Sequence, residues 1–183
     1  MTDKAALRRA LRASCPGEAA HADESTLLCR HLLHWPPFLQ AQVVAGYMPL
    51  PHEADIAPLL QAVLNSGRTL ALPRCGKGGT MTFYQVDYLE RLIPGAFGIP
   101  EPPLESRPIL PEALSLILVP LEGVDAQGYR LGKGGGYYDR YLIGCSALRV
   151  GVAFTWQEIP CLPHEAWDIP LHALVDCNGI KQY

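Results

Sequence analysis

Four consecutive apolar residues, Leu116-Ile117-Leu118-Val119, are the feature that most narrows the fold of this chain. An apolar run without polar alternation is typical of a strand buried on both faces, and such strands occupy the centre of parallel sheets. Parallel strands need long crossover connections, which are usually helices. The remainder of the chain should therefore alternate between helical and extended segments.

Helical patterns are present on both sides of this run. The first begins at Thr2 or Asp3, either of which is a suitable cap, and the second ends before Pro36-Pro37. The expected helices cover about residues 3–13, 23–34, 55–65 and 137–145.

The expected strands are short, apolar or alternating segments at residues 43–48, 69–72, 81–86, 116–119, 150–154 and 173–175. The proline-rich residues 94–112 are predicted to form a long loop, whose length suits binding or covering a site. Strands and helices alternate, which predicts the α/β class: a mostly parallel central sheet with helices on both faces. We expect a single compact domain over residues 1–183.

The composition argues against several classes of function. A net charge of −3 over 183 residues is not the basic excess typical of proteins that bind nucleic acid across a broad surface. No apolar run has the length of a membrane span, and we expect a cytoplasmic protein. We expect its partner to be a small molecule rather than a nucleic acid or a membrane. The six cysteines show no Cys-x-x-Cys or zinc-finger spacing and are expected to be free, mostly buried thiols. A monomer is expected, since no long exposed apolar helix face is evident.

A glycine-rich segment follows the central apolar run and precedes a helical pattern. Gly132-Lys133-Gly134-Gly135-Gly136 lies between Arg130 and Asp139, and its glycines let backbone N–H groups approach an anion closely. The segment matches neither the Walker A spacing nor the Rossmann fingerprint. A flexible surface loop is the alternative, but the density of charges and tyrosines favours a site for a phosphorylated ligand, with Asp139 suited to Mg²⁺ held on a phosphate.

Other charged residues are weaker candidates when taken alone. Lys4, Arg8 and Arg12 recur at helical spacing, which indicates either a solvated face or an anion site. Glu53 and Asp55 follow an expected strand, and helix capping is the favoured role of Asp55. No Ser/His/Asp or Cys/His signature indicates a nucleophile.

The segment Gly128-Tyr129-Arg130-Leu131-Gly132-Lys133-Gly134-Gly135-Gly136-Tyr137-Tyr138-Asp139-Arg140-Tyr141-Leu142 resembles the signature of the 5-formyltetrahydrofolate cyclo-ligase family. Weaker similarities occur in the expected order along nearly the whole chain. They comprise Lys4-x-x-Leu7-Arg8, Tyr47-x-Pro49-x-x-x-Glu53-x-Asp55, Leu72-Pro73-Arg74, Gly98-Ile99-Pro100-Glu101-Pro102, Val119-Pro120, Gly151-Val152-Ala153-Phe154 with Gln157, and Asp168-Ile169-Pro170-Leu171.

This resemblance implies an enzyme that uses ATP and Mg²⁺ to convert 5-formyltetrahydrofolate to 5,10-methenyltetrahydrofolate, releasing ADP and phosphate. In the mechanism it implies, the formyl oxygen attacks the γ-phosphoryl group, N10 closes the ring and phosphate leaves. Catalysis would then depend on positioning and charge stabilisation rather than on a covalent enzyme intermediate.

The resemblance also implies roles for individual residues. The implied ATP-binding set is Lys4, Arg8, Arg130, Leu131, Gly132, Lys133, Gly134, Gly135, Gly136, Tyr137 and Tyr138, of which Arg130, Lys133 and Tyr137 would be catalytic. Met48, Glu53 and Tyr138 would contact the folate, and Asp139 and Asp168 would hold Mg²⁺.

Two alternatives differ in class from an ATP-dependent ligase. One is a phosphosugar isomerase or acyl-transfer enzyme on a similar scaffold, which would need a general base near the glycine segment and no ATP. The other is a nucleotide or folate binder without turnover, which only an assay distinguishes from the enzyme.

Overall fold

The computed structural model describes residues 3–165 and 167–183, with the side chains of residues 18 and 19 excepted. The predicted cap Thr2 therefore lies outside the described residues, whereas the Asp3 carboxylate accepts a hydrogen bond from the backbone N–H of Ala5, 3.0 Å away. The α-helices of the described part are α1 Lys4–Ala13, α2 Glu18–Leu33, α3 Pro36–Gln40, α4 Ala57–Asn65 and α5 Tyr137–Leu142.

The strands of the same part are numbered in chain order. They are β1 Val43–Ala45, β2 Thr69–Cys75, β3 Met81–Val86, β4 Ile93–Pro94, β5 Pro100–Glu101, β6 Pro108–Ile109, β7 Leu116–Pro120, β8 Gly123–Asp125, β9 Arg130–Leu131, β10 Leu148–Val152, β11 Glu158–Ile159, β12 Ala173–Asp176 and β13 Gly179–Gln182. Short 3-10 helices lie at Lys77–Gly79, Leu89–Arg91, Ala96–Gly98, Pro111–Ala113 and Thr155–Gln157.

A large sheet of the order β13-β12-β10-β7-β1-β2-β3-β6 organises the chain. Its central strands, β12, β10, β7, β1 and β2, are mutually parallel. The strands β13, β3 and β6 add antiparallel pairs at the two edges. The prediction of an α/β fold with a mostly parallel sheet is confirmed, and the antiparallel edges refine it.

The apolar run that predicted the fold is buried on both faces of the sheet, as its pattern requires. Leu116 and Leu118 of β7 belong to a core shared with α2, α3 and α4, whereas Ile117 and Val119 belong to a second core shared with α5. All four side chains are fully buried. Strand periodicity thus sends alternate residues of β7 into two separate cores, with helices packed on both faces.

Several boundaries differ from the predicted ones. Helix α2 begins at Glu18 rather than near Asp23, β1 ends at Ala45, and α5 ends at Leu142. The predicted loop 94–112 contains short strands, of which Pro108–Ile109 (β6) pairs with β3 at the edge of the large sheet. The hairpin of β8 and β9 separates the central strand from the glycine segment and was not predicted.

The order of the strands places a crevice between the carboxyl ends of β1 and β7. From β1 the chain continues to β2 on one side, whereas β7 lies on the other side and leads on to β10. In open α/β sheets, ligands bind where the strand order reverses in this way. The segments that follow β1 and β7 are residues 46–56 and 121–136, which contain the predicted folate residues Met48 and Glu53 and the glycine segment.

Candidate active site

The segments after β1 and β7 meet in an ion pair at the crevice. The Lys133 ammonium of the glycine segment lies 2.6 Å from Oε1 of Glu53, and Oε2 of Glu53 accepts a hydrogen bond from the Leu50 N–H at 2.8 Å. The Glu53 side chain is only 7% exposed, while that of Lys133 is 35% exposed. A predicted folate residue and a predicted nucleotide residue therefore occupy one site.

Helix α1 places its cations beside the same segment. Its apolar face is anchored because Leu11 packs with Leu131 and Leu162 in a small core. The adjacent polar face directs the Arg8 guanidinium to the carbonyl oxygen of Gly132, with Nε 2.7 Å away. Among the side chains that the structure describes, Arg8 has no carboxylate partner, so its charge is available to an anionic ligand.

The glycine segment itself needs glycine at specific positions. Gly134 and Gly136 have φ angles of +101° and +66°, which side chains with a Cβ rarely adopt. Gly132 differs, because a Cβ built on it would meet no atom of the described residues within 4 Å, apart from its two chain neighbours. The space in front of Gly132, next to the Arg8 guanidinium, is therefore open to a ligand.

The two predicted metal ligands are each paired with a predicted phosphate-binding cation. Oδ1 of Asp139 lies 2.6 Å from the Arg130 guanidinium, whose side chain is 3% exposed, and Oδ2 of Asp168 lies 3.0 Å from the Lys4 ammonium. Burial would raise the pKa of Asp168, but the Glu165 backbone N–H, Lys4 and Arg130 together lower it. Asp168 is thus held as a carboxylate at the edge of the site.

Arg130 contacts Asp139 and the backbone next to Asp168. Its guanidinium donates to Asp139 and, at 3.4 Å, to the carbonyl oxygen of Ile169, the residue after Asp168. In residues 3–165 and 167–183, no group of three or more His, Cys, Asp and Glu side chains is arranged to hold a metal. The sequence prediction offers two carboxylates, Asp139 and Asp168, and so small a number would suit a metal that also takes phosphate and water oxygens.

The predicted tyrosines differ in their surroundings. The hydroxyl of Tyr138 is buried and has no hydrogen-bond partner in the described part of the chain. Burial, with a smaller effect from the Glu53 carboxylate, raises the pKa of Tyr138 well above its usual value, so it remains a neutral donor. The ring of Tyr137 meets that of Phe97 edge-on, with centroids 6.2 Å apart. Met48, on the segment after β1, packs against the core beneath α2 and α4.

Glu122 is a charged residue of the site that the sequence patterns did not indicate. It lies two residues after the end of β7, its side chain is 4% exposed, and it accepts two hydrogen bonds from Arg12 at 2.9 and 3.0 Å. His52 lies 3.7 Å from Oε1 of Glu122. This carboxylate therefore joins α1 to both segments of the crevice. A carboxylate two residues after a buried central strand was the available signal.

The stability of the protein at acidic pH should depend on the protonation of Glu122. Burial raises the pKa of this carboxyl, but the hydrogen bonds and charge of Arg12, with His52 and Lys133, outweigh burial and lower it below the ordinary 4.5. A carboxyl whose pKa is lowered by folding stabilises the protein at pH values above its pKa in the unfolded chain. That stabilisation is lost as the pH falls through its pKa in the folded protein. We expect Glu122→Gln to cost about 1 kcal/mol near neutral pH, because Arg12 is largely exposed.

The measurement is the urea midpoint as a function of pH. The difference between Glu122→Gln and the parent should shrink as pH falls below about 4.5. Glu105→Gln, at an exposed carboxylate, is the matched control and should parallel the parent curve. A Glu122→Gln curve that also parallels the parent would show that the Arg12 contact does not stabilise the fold.

The fold and the site together define a doubly wound α/β protein with a strongly charged, glycine-lined site at the switch point of its sheet. The model of the 5-formyltetrahydrofolate cyclo-ligase family matches residues 1–176, and the chain belongs to that family. The resemblance seen in the sequence is confirmed, and the protein is an enzyme of this class.

Named relatives agree with this membership. The chain is 32% identical over 158 residues to 5-formyltetrahydrofolate cyclo-ligase of Escherichia coli K12, covering 83% of this chain and 87% of the relative. It is 31% identical over 169 residues to the enzyme of that name from Haemophilus influenzae, covering 89% and 90%. An NMR structure of Aquifex aeolicus 5,10-methenyltetrahydrofolate synthetase superimposes with a TM-score of 0.87 and 36% identity, covering 98% of this chain and 92% of that one. In the described part of the chain, no helix has both the length and the apolar content of a membrane span.

Proposed function

We propose that this protein converts 5-formyltetrahydrofolate to 5,10-methenyltetrahydrofolate in one-carbon metabolism, using Mg²⁺ and ATP and releasing ADP and phosphate. Family membership and the names of the relatives support the folate reaction. The observation that supports a nucleotide most directly is the arrangement at Gly132. There Arg8, which has no carboxylate partner among the described side chains, adjoins the open space at Gly132, and the next residue is Lys133.

The phosphates are assigned to the surface between α1 and the glycine segment. Arg8 and Lys133 flank this surface, and the proposed set also includes Lys4 and Arg130, each paired with a carboxylate. Guanidinium and ammonium groups form charge-assisted hydrogen bonds with phosphate oxygens. The complete nucleotide-binding set remains that of the sequence prediction, Lys4, Arg8 and residues 130–138.

The folate is assigned to the segment after β1. Glu53 offers a buried carboxylate to the polar groups of a pterin ring, and Met48 offers an apolar surface. Tyr138 has a buried hydroxyl without a hydrogen-bond partner among the described residues, which a polar substrate atom would satisfy. Since Lys133 already lies on Glu53, the folate and the transferred phosphate would meet at this ion pair.

Asp139 and Asp168 fit Mg²⁺ in number and kind. Mg²⁺ is usually held by one or two carboxylates together with substrate phosphates and water. When bound, it would neutralise phosphate charge. Arg130 would then exchange part of its contact with Asp139 for a phosphate oxygen, so the Arg130–Asp139 pair keeps both groups in place before the ligand arrives.

The reaction transfers the γ-phosphoryl group to the formyl oxygen, and N10 then attacks the formyl carbon as phosphate leaves. Lys133 and Arg130 would stabilise the charge on the transferred group, and Tyr137 would close one side of the site with Phe97. Glu53 would orient the substrate through hydrogen bonds. These roles require positioning and fixed charge, and the enzyme forms no covalent bond to the substrate.

Gly132→Ala should separate ligand binding from folding. The new methyl group has free space among the described residues, and the φ angle of Gly132 lies outside the left-handed region. Thermal stability should therefore hardly change. The methyl group would occupy the surface assigned to phosphate, at a cost of about 1–3 kcal/mol, so the KM for ATP should rise roughly 5- to 150-fold. Steady-state kinetics at varied ATP measures this effect.

Gly144→Ala is the matched control, because its Cβ would also meet no atom within 4 Å. That variant should retain the parent KM. An unchanged KM in Gly132→Ala would place the phosphates elsewhere.

The decisive assay mixes the purified protein with Mg-ATP and 5-formyltetrahydrofolate and follows the near-ultraviolet absorbance of the methenyl product together with ADP. Equal rates of methenyl product and ADP are expected. Binding of both ligands without either product would identify a non-catalytic binder, and turnover without ATP would identify a different enzyme class. We retain a monomer as a proposal. We also propose a reducing, cytoplasmic location, with which six free thiols are consistent.

A further inference from the structure

A cysteine and a histidine outside the site form a close pair. Sγ of Cys15, just beyond the end of α1, lies 3.0 Å from Nε2 of His21 in α2. The sequence did not indicate this pair, because nothing in the local pattern shows that the two side chains meet. A thiol and an imidazole within hydrogen-bonding distance are the arrangement by which a base activates a sulfur nucleophile.

The imidazole of His21 is fixed in one orientation. Its ring is buried and stacks on Phe154, with centroids 4.4 Å apart and an interplanar angle of 13°. Its other nitrogen, Nδ1, is buried and has no hydrogen-bond partner in the described part of the chain. The sulfur of Cys15 is therefore the polar contact to which the ring is directed, while Cys15 itself is only half-buried.

The other five thiols have different surroundings. Burial raises the pKa of Cys29 to about 12, with a smaller effect from Asp55, and burial with nearby Glu101 raises that of Cys75. Burial and Glu24 likewise raise the pKa of Cys177. Cys145 is buried and Cys161 is exposed, so the expectation of mostly buried thiols is correct for only part of the set. Because the thiolate is the reactive form, a base beside the sulfur distinguishes Cys15.

We propose that Cys15 is a modification site at which low-molecular-weight disulfides form a mixed disulfide, with His21 as the base. Nε2 of His21 takes the thiol proton, and the Cys15 sulfur attacks one sulfur of the disulfide. The S–S bond of the reagent breaks, and the departing thiolate takes the proton back from the imidazolium. One disulfide is consumed, one small thiol is released, and Cys15 is oxidised to the mixed disulfide. This inference is independent of the proposed ATP and Mg²⁺ dependence.

The test treats the reduced full-length protein with a small amount of dithiobis(nitrobenzoate), blocks the remaining thiols with iodoacetamide, and maps the adducts by peptide mass spectrometry. Cys15 should react roughly tenfold or more faster than Cys161, a small part of the ~10²–10⁴ that a positioned base contributes. Preferential labelling of the exposed Cys161 would overturn the proposal, since exposure alone would then control reactivity.

His21→Phe keeps an aromatic ring on Phe154 and removes the base. The labelling rate of Cys15 should fall to that of Cys161, while the rate of Cys161 stays unchanged as a check on folding. An unchanged Cys15 rate would exclude His21 as the base. If this variant fails to fold, Cys15→Ser provides the second test: the fast labelling phase must vanish, and its persistence would contradict the proposal.

Discussion

Lys133→Met is expected to lower kcat/KM about 10- to 150-fold, which corresponds to the ~1.5–3 kcal/mol of a charge-assisted hydrogen bond. The substitution keeps most of the aliphatic stem and removes the charge that lies 2.6 Å from Glu53. The nucleotide would lose a phosphate contact, and the buried Glu53 carboxylate would lose its counter-ion. Steady-state kinetics with each substrate varied in turn measures the effect.

A double-mutant cycle with Glu53→Gln separates these two causes. If the Lys133–Glu53 pair acts as a unit, the double variant should be less impaired than the sum of the single changes, because no unpaired buried charge remains. Denaturation midpoints should show the same pattern. Any loss of ATP affinity that the double variant still shows then belongs to the phosphate contact of Lys133.

Lys181→Met is the matched control for this cycle. Lys181 also pairs with a glutamate, Glu158, at 3.6 Å, but it lies on the edge strand β13 of the large sheet. This exposed pair should contribute little to stability, and the Lys181→Met variant should keep the kinetic constants of the parent. Parent kinetics in Lys133→Met as well would remove Lys133 from the reaction.

The parts of the fold that could be predicted are those with a strong local pattern. The uninterrupted run of β7 specified a strand with two buried faces, and the alternation in Met81–Val86 specified β3 with its observed bounds. In contrast, β13 has a single large apolar residue, Ile180, and becomes a strand because β12 pairs with it. Its formation depends on tertiary context, which local propensity does not contain.

Other strands were not predicted because their segments are rich in proline and glycine. The β8–β9 hairpin contains Gly123 and surrounds Gly128, and β6 begins with Pro108, so both regions had the composition of loops. Strands of two or three residues have too few positions for a periodic signal. They form because neighbouring chain segments supply the pairing partner.

The prediction of the candidate site was made where the chemistry is local. Glycines and charges clustered within one segment indicated an anion site, and the resemblance supplied partners such as Glu53 and Asp168. Glu122 could not be found in this way, since its partner Arg12 lies 110 positions away in the chain. The contribution of a buried carboxylate to stability depends on a cation that only the folded chain brings near it.

Asp139→Asn is expected to raise the Mg²⁺ concentration needed for half-maximal activity about tenfold or more. Losing a supporting contact at a metal site typically weakens metal affinity by this much. The amide is nearly isosteric and still accepts a hydrogen bond from Arg130, so the loss should concern the metal more than the fold. Asp139 is about one-third exposed, and little change in the thermal midpoint should follow. A Mg²⁺ titration at saturating ATP measures the shift.

Two further variants decide how Asp139 acts. Asp168→Asn should shift the Mg²⁺ titration in the same direction if both carboxylates hold the ion, whereas Asp87→Asn, at an exposed position, should not shift it. Arg130→Lys should raise the KM for ATP and leave the Mg²⁺ midpoint nearly unchanged, because the ion pair with Asp139 persists in a looser geometry. If Asp139→Asn instead raises the KM for ATP and keeps the parent Mg²⁺ midpoint, Asp139 serves only to position Arg130, and the metal must be bound by other groups.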